Sequence, residues 1–543
     1  MTLLRPLPRA VTRPIAIAIV IAWVATMGVL VKRTYLEAST ANLAIDLARY
    51  GSTAQWRGIY YKGEKIGFSV SQADSTGDGF ELHENGRLQM TLFGAVAPVR
   101  ISTTARVDSA FVLRSFDFLL DPGTGPTTVH GVVEGLRLTL SVTTGSGTTT
   151  EVRDLTEPPV VSLSLGRRLA GAGLVPGTRH EWSLIDPATL RSAPVRLDVG
   201  PREVVSVSGV RLPAFRVDME FAGLHTRSWV TDTGEVVREE SPMGLMTIRE
   251  SAQRAPVMSV GWGVQTDLLE ASAVVPKMKQ RIAEPRDVRR LRVRLVGADL
   301  SSLERQGDIQ GVGQVVEGDV VELRDPQSLR AGMADPEARK YLAAEPLLES
   351  DDPAIVAEAE AAVRGITGVR ARAERLTRHV NALLEKKPTV SLPSAREVLR
   401  TKIGDCNEHT ALYVAMARAV GIPARIAVGL TFVRGAFYYH AWPEVYIDEG
   451  AGRGLWLPVD PTLNQFPADA THLRLARGGL DRQATILPLV GRMQMEVLDL
   501  ELSPGSVPIL AGRQPTDMSP LAIPLPQRAT AGCWSSPAPV RRR

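Results

Sequence analysis

Cysteine and aromatic residues are scarce in this sequence. Its 543 residues include two cysteines, Cys406 and Cys533, too few for the disulfide framework of a small secreted protein. Aromatic residues make up 5% of the chain, and no basic cluster interleaved with aromatics occurs, which argues against a nucleic-acid partner. The net charge of +4 is small, and the hydrophobic content of 44% is typical of a soluble globular protein. A chain of this length is expected to form about three or four domains.

One long uncharged stretch, PIAIAIVIAWVATMGVLV, occupies residues 14–31. As a helix, it is just long enough to cross the hydrocarbon core of a bilayer. The arginines before it favour a cytoplasmic N-terminus at residues 1–13. We therefore expect an uncleaved transmembrane signal anchor at residues 14–31. This predicts a single-pass protein of the inner (cytoplasmic) membrane, with the rest of the chain facing the periplasm or exterior. A cleaved signal peptide is the alternative.

Residues 51–255 have the pattern of a β-rich extracytoplasmic domain. Segments such as LRLTLSVTT (136–144) alternate apolar and polar residues, and glycines or prolines interrupt the pattern at short intervals. The histidines of this region are scattered, so they indicate no catalytic cluster. Residues 256–345 are interpreted as a β connector or subdomain. Residues 503–543 are rich in proline, alanine and arginine without periodicity, which predicts a disordered tail.

The pattern changes to helices from about residue 352. The segment DCNEHTALYVAMARAVGIPAR (405–425) begins with an aspartate suited to cap a helix, and Glu408 completes a capping box. Cys406 therefore falls in the first turn of the predicted helix. At this position the helix dipole and the unpaired backbone N–H groups favour a thiolate over a thiol. A small buried structural cysteine is the alternative.

Three strands are predicted after this helix, at about 424–433, 437–447 and 455–460. With a period of two, His440 and Trp442 share one face of the middle strand. Asp460 ends the last strand, so antiparallel pairing is expected to place it beside His440, with the Cys406 end of the helix packed over both. Pro443 lacks a backbone N–H, so the middle strand must have an edge or bulge nearby.

The three blocks GDCNEHTALYVAMARAVGIPAR, YYHAWPEVYI and GLWLPVDPT together resemble the core of the transglutaminase-like superfamily of papain-type cysteine enzymes, in a bacterial membrane-anchored type. The match covers residues 394–462, and the catalytic domain is expected at residues 350–502. The resemblance implies an α+β fold, in which a helix bundle packs on an antiparallel sheet. A β-rich domain and the N-terminal transmembrane helix would precede this core.

The resemblance also implies a catalytic triad. Cys406 would be the nucleophile, His440 the general base and acid, and Asp460 the residue that orients the imidazole. Trp442 is expected to shield the pair from water or to contact substrate. No cofactor is expected, and the sequence has no calcium-loop signature.

The implied reaction is attack of the thiol on an amide or peptide carbonyl of an envelope protein or peptide. Water or a second amine would then resolve the thioester. A non-catalytic envelope-binding or scaffold protein that retains the fold is the alternative. A zinc site is a further interpretation, because Cys406 and His409 have C-x-x-H spacing, but the sequence offers no second closely spaced ligand pair. No metal is therefore expected.

Overall fold

The structure is a computed structural model that describes residues 54–510 with internal gaps. The gaps are 93–94, 124, 242–243, 258–266, 298–299, 301–308, 390, 480–481, 483–485, 487–492 and 507–508. The predicted segments 1–13 and 14–31 and most of the predicted tail, including Cys533, lie outside the described residues.

The N-terminal half forms one 15-stranded sheet in which nearly all neighbours are antiparallel. One group of strands follows chain order from the middle of the sheet to one edge: β1 (Gln55–Tyr61), β2 (Glu64–Ser75), β3 (Gly79–Leu92), β4 (Ala95–Asp108), β5 (Leu113–Asp121), β6 (Thr127–Glu134), β7 (Arg137–Thr144) and β8 (Gly147–Asp154). The other group begins at the far edge and returns to β1: β9 (Pro159–Val160), β10 (Arg179–Asp186), β11 (Arg191–Val207), β12 (Val210–Phe221), β13 (Leu224–Val230), β14 (Val236–Glu240) and β15 (Leu245–Glu250). Helix α1 (Ser162–Ala172) lies between β9 and β10 in the chain.

Alternation of side chains explains why these segments form strands. In β6, valines and other inward residues alternate with exposed ones, because successive side chains of a strand point to opposite faces. Among the described residues, the inward side chains form two large buried clusters and two smaller ones. Each hairpin adds its own apolar face, so the sheet grows strand by strand.

A second β region follows, in which short strands pair with segments far along the chain. It contains α2 (Leu268–Ala271), β16 (Gln280–Arg281), β17 (Val288–Val296), β18 (Gln314–Glu317), β19 (Val320–Arg324) and β20 (Gly332–Met333), with short 3-10 turns at Pro285–Asp287, Pro326–Ser328 and Ala338–Leu342. A four-stranded sheet has the order β18-β19-β17-β27, where β27 (Gln494–Leu502) comes from the end of the described chain.

The remaining elements surround a five-stranded sheet of order β20-β25-β24-β23-β26. Its elements and neighbours are α3 (Pro353–Val363), α4 (Val369–Leu383), β21 (Glu385–Lys386), α5 (Ala395–Thr401), β22 (Ile403–Gly404), α6 (Cys406–Ala419), β23 (Ala424–Val433), β24 (Ala436–Gly450), β25 (Arg453–Pro458) and β26 (Leu473–Arg477); β28 (Ile509–Leu510) pairs with β16. Helix α6 is buried along most of its length and packs on β23 and β24. The helices and both small sheets share one hydrophobic core.

The expected α+β class is wrong for this chain. Strands make up 52% of the structure and helices 18%, and the core is β-rich. The difference arises because strands fill most of residues 55–250, interrupted by α1, whereas the two longest described helices, α4 and α6, both lie within residues 369–419.

The predicted transmembrane helix and single-pass membrane localisation are contradicted as well. Among the described residues, no helix is both long and apolar enough to cross a membrane. The longest described helix, α4, has 15 residues, and its arginine-rich sequence is far from the uncharged stretch that a bilayer requires.

Candidate active site

Helix α6 begins at Cys406 because its first turn is capped from both directions. The Asp405 carboxylate accepts a hydrogen bond from the backbone N–H of Asn407 at 2.9 Å. The Glu408 carboxylate reaches back and accepts one from the backbone N–H of Asp405 at 2.8 Å. These bonds satisfy backbone donors that a helix start leaves unpaired. The capping pattern in the sequence therefore places Cys406 at the first position of the helix.

Gly404 makes room for this capping arrangement. A Cβ atom at this position would lie 2.2 Å from the Cβ of Glu408, which is closer than two carbon atoms can approach. Glu408 is also held from the other side by the hydroxyl of Ser391. The glycine in the sequence GDC thus fixes how the chain enters the helix that presents the thiol.

His440 and Asp460 form a buried hydrogen-bonded pair. His440 lies in the middle of β24, and Asp460 follows the end of β25, the strand paired with β24. Nε2 of His440 donates to Oδ2 of Asp460 at 2.8 Å. His440 is 6% exposed and Asp460 is fully buried. Pairing of β25 with β24 ends where Pro458 lies opposite Glu444, one residue short of Pro443, so the proline lies where the ladder on that side stops.

The thiol of Cys406 lies against the strand that carries the histidine. It lies close enough to the backbone N–H of Ala441, the residue directly after His440, and to the carboxylate of Asp460 for both groups to affect the pKa of the thiol. Thr410, one turn along α6, donates to the carbonyl of the same Ala441 at 3.1 Å. The structure therefore gathers the three residues that the sequence singles out in one site.

The electrostatics of the thiol differ from the expectation. Burial raises the pKa of Cys406 well above its ordinary value, and the charges of Asp405 and Glu408 act in the same direction. The backbone N–H of Ala441 favours the thiolate, but its effect on the pKa is outweighed. Desolvation and the nearby carboxylates therefore oppose the thiolate that the helix start favours. A base must take the proton.

A second histidine, which the sequence analysis did not single out, binds the same aspartate. Nε2 of His472 donates to Oδ2 of Asp460 at 3.1 Å, and its Nδ1 donates to Oδ1 of Asp469 at 3.2 Å. The rings of His440 and His472 lie 5.8 Å apart. The spacing of Asp469 and His472, three residues apart just before a strand, is the signal in the sequence that could have indicated this contact.

Gly429 explains how both rings reach one carboxylate. In β23, Gly429 pairs with His440 on one side and with Arg474 of β26 on the other. A Cβ at Gly429 would lie 2.0 Å from the carbonyl oxygen of Leu473. The missing side chain allows β26 to approach closely, and this brings His472 to Asp460.

His472 is an imidazolium held between two carboxylates. Burial by itself would lower its pKa, but the charge of Asp469 and the hydrogen bonds to Asp460 and Asp469 raise the pKa of His472 to about 10. The pKa of Asp460 is correspondingly held well below its usual range: burial would raise it, but the two histidines outweigh that effect.

The raised pKa of His472 predicts how the stability of the folded chain depends on pH. A histidine whose pKa is raised by folding stabilises the chain fully below its unfolded value of about 6.5 and loses that contribution as pH rises through about 10. As pH rises from about 6.5 to about 10, the free energy of unfolding of the unmodified chain should therefore decrease. This decrease should be several kcal/mol larger than the decrease in the His472→Gln variant. Urea unfolding at three pH values between these limits measures the difference.

The matched control is His130→Gln, because His130 is exposed and its ion pair with Asp117 lies at the surface. This variant should follow the pH dependence of the unmodified chain. A gap between the chain and His472→Gln that stays constant with pH would show that His472 is not charged in the folded state.

Trp442 occupies the wall of the site. It is 1% exposed and packs against both histidines, with its ring 6.1 Å from that of His440 and 5.2 Å from that of His472. Its indole N–H is buried and finds no hydrogen-bond partner among the residues that the structure describes. This position suits the expected role of shielding His440 from water, and it offers substrate no exposed surface.

The residues that could hold a metal ion differ from Cys406 and His409, the pair that the sequence suggests. His409 is fully buried, its Nδ1 donates to the carbonyl of Asp405 at 2.7 Å, and burial lowers its pKa. In the described part of the chain, the ligand atoms that lie close enough to hold an ion, within 4.8 Å of one another, belong to His440, Asp460 and His472. Because these atoms already bond to each other, an ion would have to displace both histidine protons.

Behind the site, Glu444 joins three arginines from neighbouring strands. Its carboxylate accepts hydrogen bonds from Arg425 at 2.8 Å, from Arg477 at 3.1 Å and from Arg474. Glu444 is 1% exposed. The cluster ties β23, β24 and β26 together, and these are the strands that carry or position both histidines.

Comparison with known proteins identifies the family of this region. Residues 356–461 match the family model of the transglutaminase-like superfamily. This range contains Cys406, His440 and Asp460, so the resemblance seen in the three sequence blocks is confirmed. The match supports the assignment of the domain to a family of cysteine enzymes. No curated protein has a significant sequence match to the chain.

Solved structures are only distantly similar. A β-barrel-like protein with domain of unknown function 1849 from Brucella abortus has 11% identity and a TM-score of 0.29, and the match covers 37% of this chain and 97% of that protein. A candidate cysteine protease from Cytophaga hutchinsonii has 17% identity and a TM-score of 0.25, and covers 46% of this chain and 86% of its own length. These similarities are too weak to support an argument about this chain.

Proposed function

We propose that the transglutaminase-like domain of this chain is a cysteine hydrolase or acyltransferase that acts on amide bonds of proteins or peptides. The observation that carries the proposal is the buried His440–Asp460 pair beside the Cys406 thiol. A nucleophile, a base and a group that orients the base are what thioester catalysis requires.

In the first step, His440 takes the proton of Cys406 as the sulfur attacks the carbonyl carbon. Nε2 of His440 is bonded to Asp460, so Nδ1 is the ring atom left to exchange a proton with the thiol. Since burial raises the pKa of Cys406, proton transfer accompanies attack rather than preceding it. Asp460 stabilises the imidazolium that forms.

In the second step, the tetrahedral intermediate collapses to a thioester. The backbone N–H of Cys406 at the start of α6 would contribute to stabilising the negative oxygen. The imidazolium of His440 gives its proton to the departing nitrogen, so a carboxamide releases ammonia and a peptide bond releases a new amino terminus. Water then hydrolyses the thioester, or an amine attacks it to form a new amide and regenerate the thiol.

A test of the proposal needs a probe that does not depend on the unknown substrate. p-Nitrophenyl acetate meets this need, because its leaving group departs without protonation and only the nucleophile must be competent. The full chain should release a burst of p-nitrophenolate equal to its own concentration, and peptide mapping should locate an acetyl group on Cys406. A chain that gives no burst, or carries the acetyl group elsewhere, would contradict the proposal. Adding a primary amine to the acetylated chain then distinguishes the two reactions. Acyl transfer releases the acetylated amine, whereas hydrolysis releases acetate.

A further inference from the structure

A cavity of about 290 Å³ lies in the large β region, away from the thiol. It is bounded by β1, β2 and β3, by helix α1 and by the turn before β14. Its volume is just below the usual range of small-molecule sites in proteins, roughly 300–1,000 Å³. The cavity is therefore large enough for a ligand of modest size.

Two glycines fix the backbone at Arg167, a residue of the cavity lining. A Cβ at Gly166 would lie 2.4 Å from the carbonyl oxygen of Gly234, and a Cβ at Gly234 would lie 2.5 Å from the Cα of Arg167. Gly234 also has a φ of +82°, a conformation that favours glycine. The close contact presses α1 against the turn, and Arg167 lines the cavity from there.

The guanidinium of Arg167 lies within the electrostatic reach of the Glu235 carboxylate. Among the described residues, it forms no hydrogen bond or ion pair. Arg57, on the other side of the cavity, donates to Glu84 at 3.5 Å and to Gln55 at 3.1 Å, but its buried Nε has no hydrogen-bond partner in the described part of the chain. A guanidinium presents its N–H donors in one plane. When these donors are unused and face a cavity, they are suited to donate hydrogen bonds to a planar anion such as a carboxylate.

The other charges limit the ligand to a single negative charge. Glu235 lines the cavity and is paired with Arg249 at 3.2 Å. Glu239 also lines it and accepts a hydrogen bond from Ser228 at 2.9 Å; burial raises the pKa of Glu239 and so favours its neutral acid form. With Glu84 and Glu235 nearby, a doubly charged phosphate would be repelled, whereas a carboxylate matches the unused guanidinium.

We propose that this cavity binds a carboxylate, with Arg167 as its charged partner. The apolar side chains of Ile59, Leu82 and Leu88 in the lining would accommodate a short aliphatic group next to the carboxylate. The carboxylate has two chemical sources: the C-terminus of a peptide or a small free organic acid. This inference is independent of the reaction proposed for Cys406.

Isothermal titration of the full chain tests the proposal with three probes: N-acetyl-Ala-Ala, the same dipeptide as its C-terminal amide, and hexanoate. At least one carboxylate is expected to saturate a single site, and the amide is expected not to bind. Binding of the dipeptide alone identifies a peptide C-terminus, and binding of hexanoate alone identifies a free acid.

Variants of two adjacent arginines provide the comparison. Arg167→Gln should weaken binding by at least about tenfold, and Arg167→Lys, which keeps the charge but loses the fork, should weaken it less. Arg168→Gln is the control, because Arg168 stacks on the ring of Trp182 at 4.8 Å and does not line the cavity. The proposal is overturned if neither carboxylate binds, or if folded Arg167→Gln and Arg167→Lys bind as tightly as the unmodified chain.

Discussion

Replacing Cys406 by Ala is expected to abolish the burst of p-nitrophenolate and every amide-cleaving or amine-transferring activity of the chain. The sulfur is the atom that forms the thioester, and no neighbouring side chain can take its place. Loss of a nucleophile in such a triad lowers turnover by roughly 10⁴-fold or more. Stopped-flow absorbance measures the burst, and circular dichroism checks that the variant is folded.

Cys533→Ser is the matched control for this experiment. It removes the other thiol of the chain, so it tells the reaction of Cys406 from the general reactivity of thiols. This variant should keep the full burst. A burst that survives in Cys406→Ala but disappears in Cys533→Ser would show that Cys533 is the reacting thiol, and this would contradict the proposed site.

Replacing Glu444 by Gln is expected to destabilise the chain by about 3–5 kcal/mol, the usual effect of breaking a buried ion pair on one side. Glu444 contacts three arginines in the interior, and its removal would leave their charges without a counterion. Burial would raise its pKa, but Arg474, Arg477 and Arg425 outweigh this and hold the pKa well below its usual range. The stabilisation is therefore present above the ordinary carboxyl pKa and is lost as pH falls through the depressed value.

Urea unfolding at neutral pH measures this effect. The control is Glu501→Gln, because Glu501 is largely exposed and its ion pair with Arg290 spans 3.5 Å at the surface. Surface pairs contribute little, so this variant should unfold close to the unmodified chain. Equal stability of the two variants would show that the arginine cluster does not depend on Glu444.

The local features of the site could be predicted from the sequence because they depend on short-range rules. The capping residues around Cys406 fix the start of the helix, and strand alternation puts His440 on a defined face. Pairing of consecutive strands then brings Asp460 beside it. Each step involves neighbours in the chain or adjacent strands, so the pattern carries the information.

Other features depend on contacts that no local pattern contains. His472 reaches Asp460 only because β26 pairs with β23 across Gly429, and this pairing follows a long irregular segment. The raised pKa of Cys406 depends on how deeply the packed sheet buries the thiol, whereas the sequence indicates only its place at a helix start. The extent of the 15-stranded sheet was missed for the same reason: alternation predicts strands, but it does not predict that they join into one sheet.

The central claim is that His440 activates Cys406, and the rate of alkylation of this thiol tests it most directly. Cys533→Ser and the double variant Cys533→Ser/His440→Ala would be treated with iodoacetamide from about pH 4 to 9, around the ordinary thiol pKa of about 8.5. The account predicts that Cys406 reacts at neutral pH when His440 is present, and that removing the imidazole slows the reaction by about 10²-fold or more. Equal rates in the two proteins across this range would contradict the account, because the thiol would then lack a base.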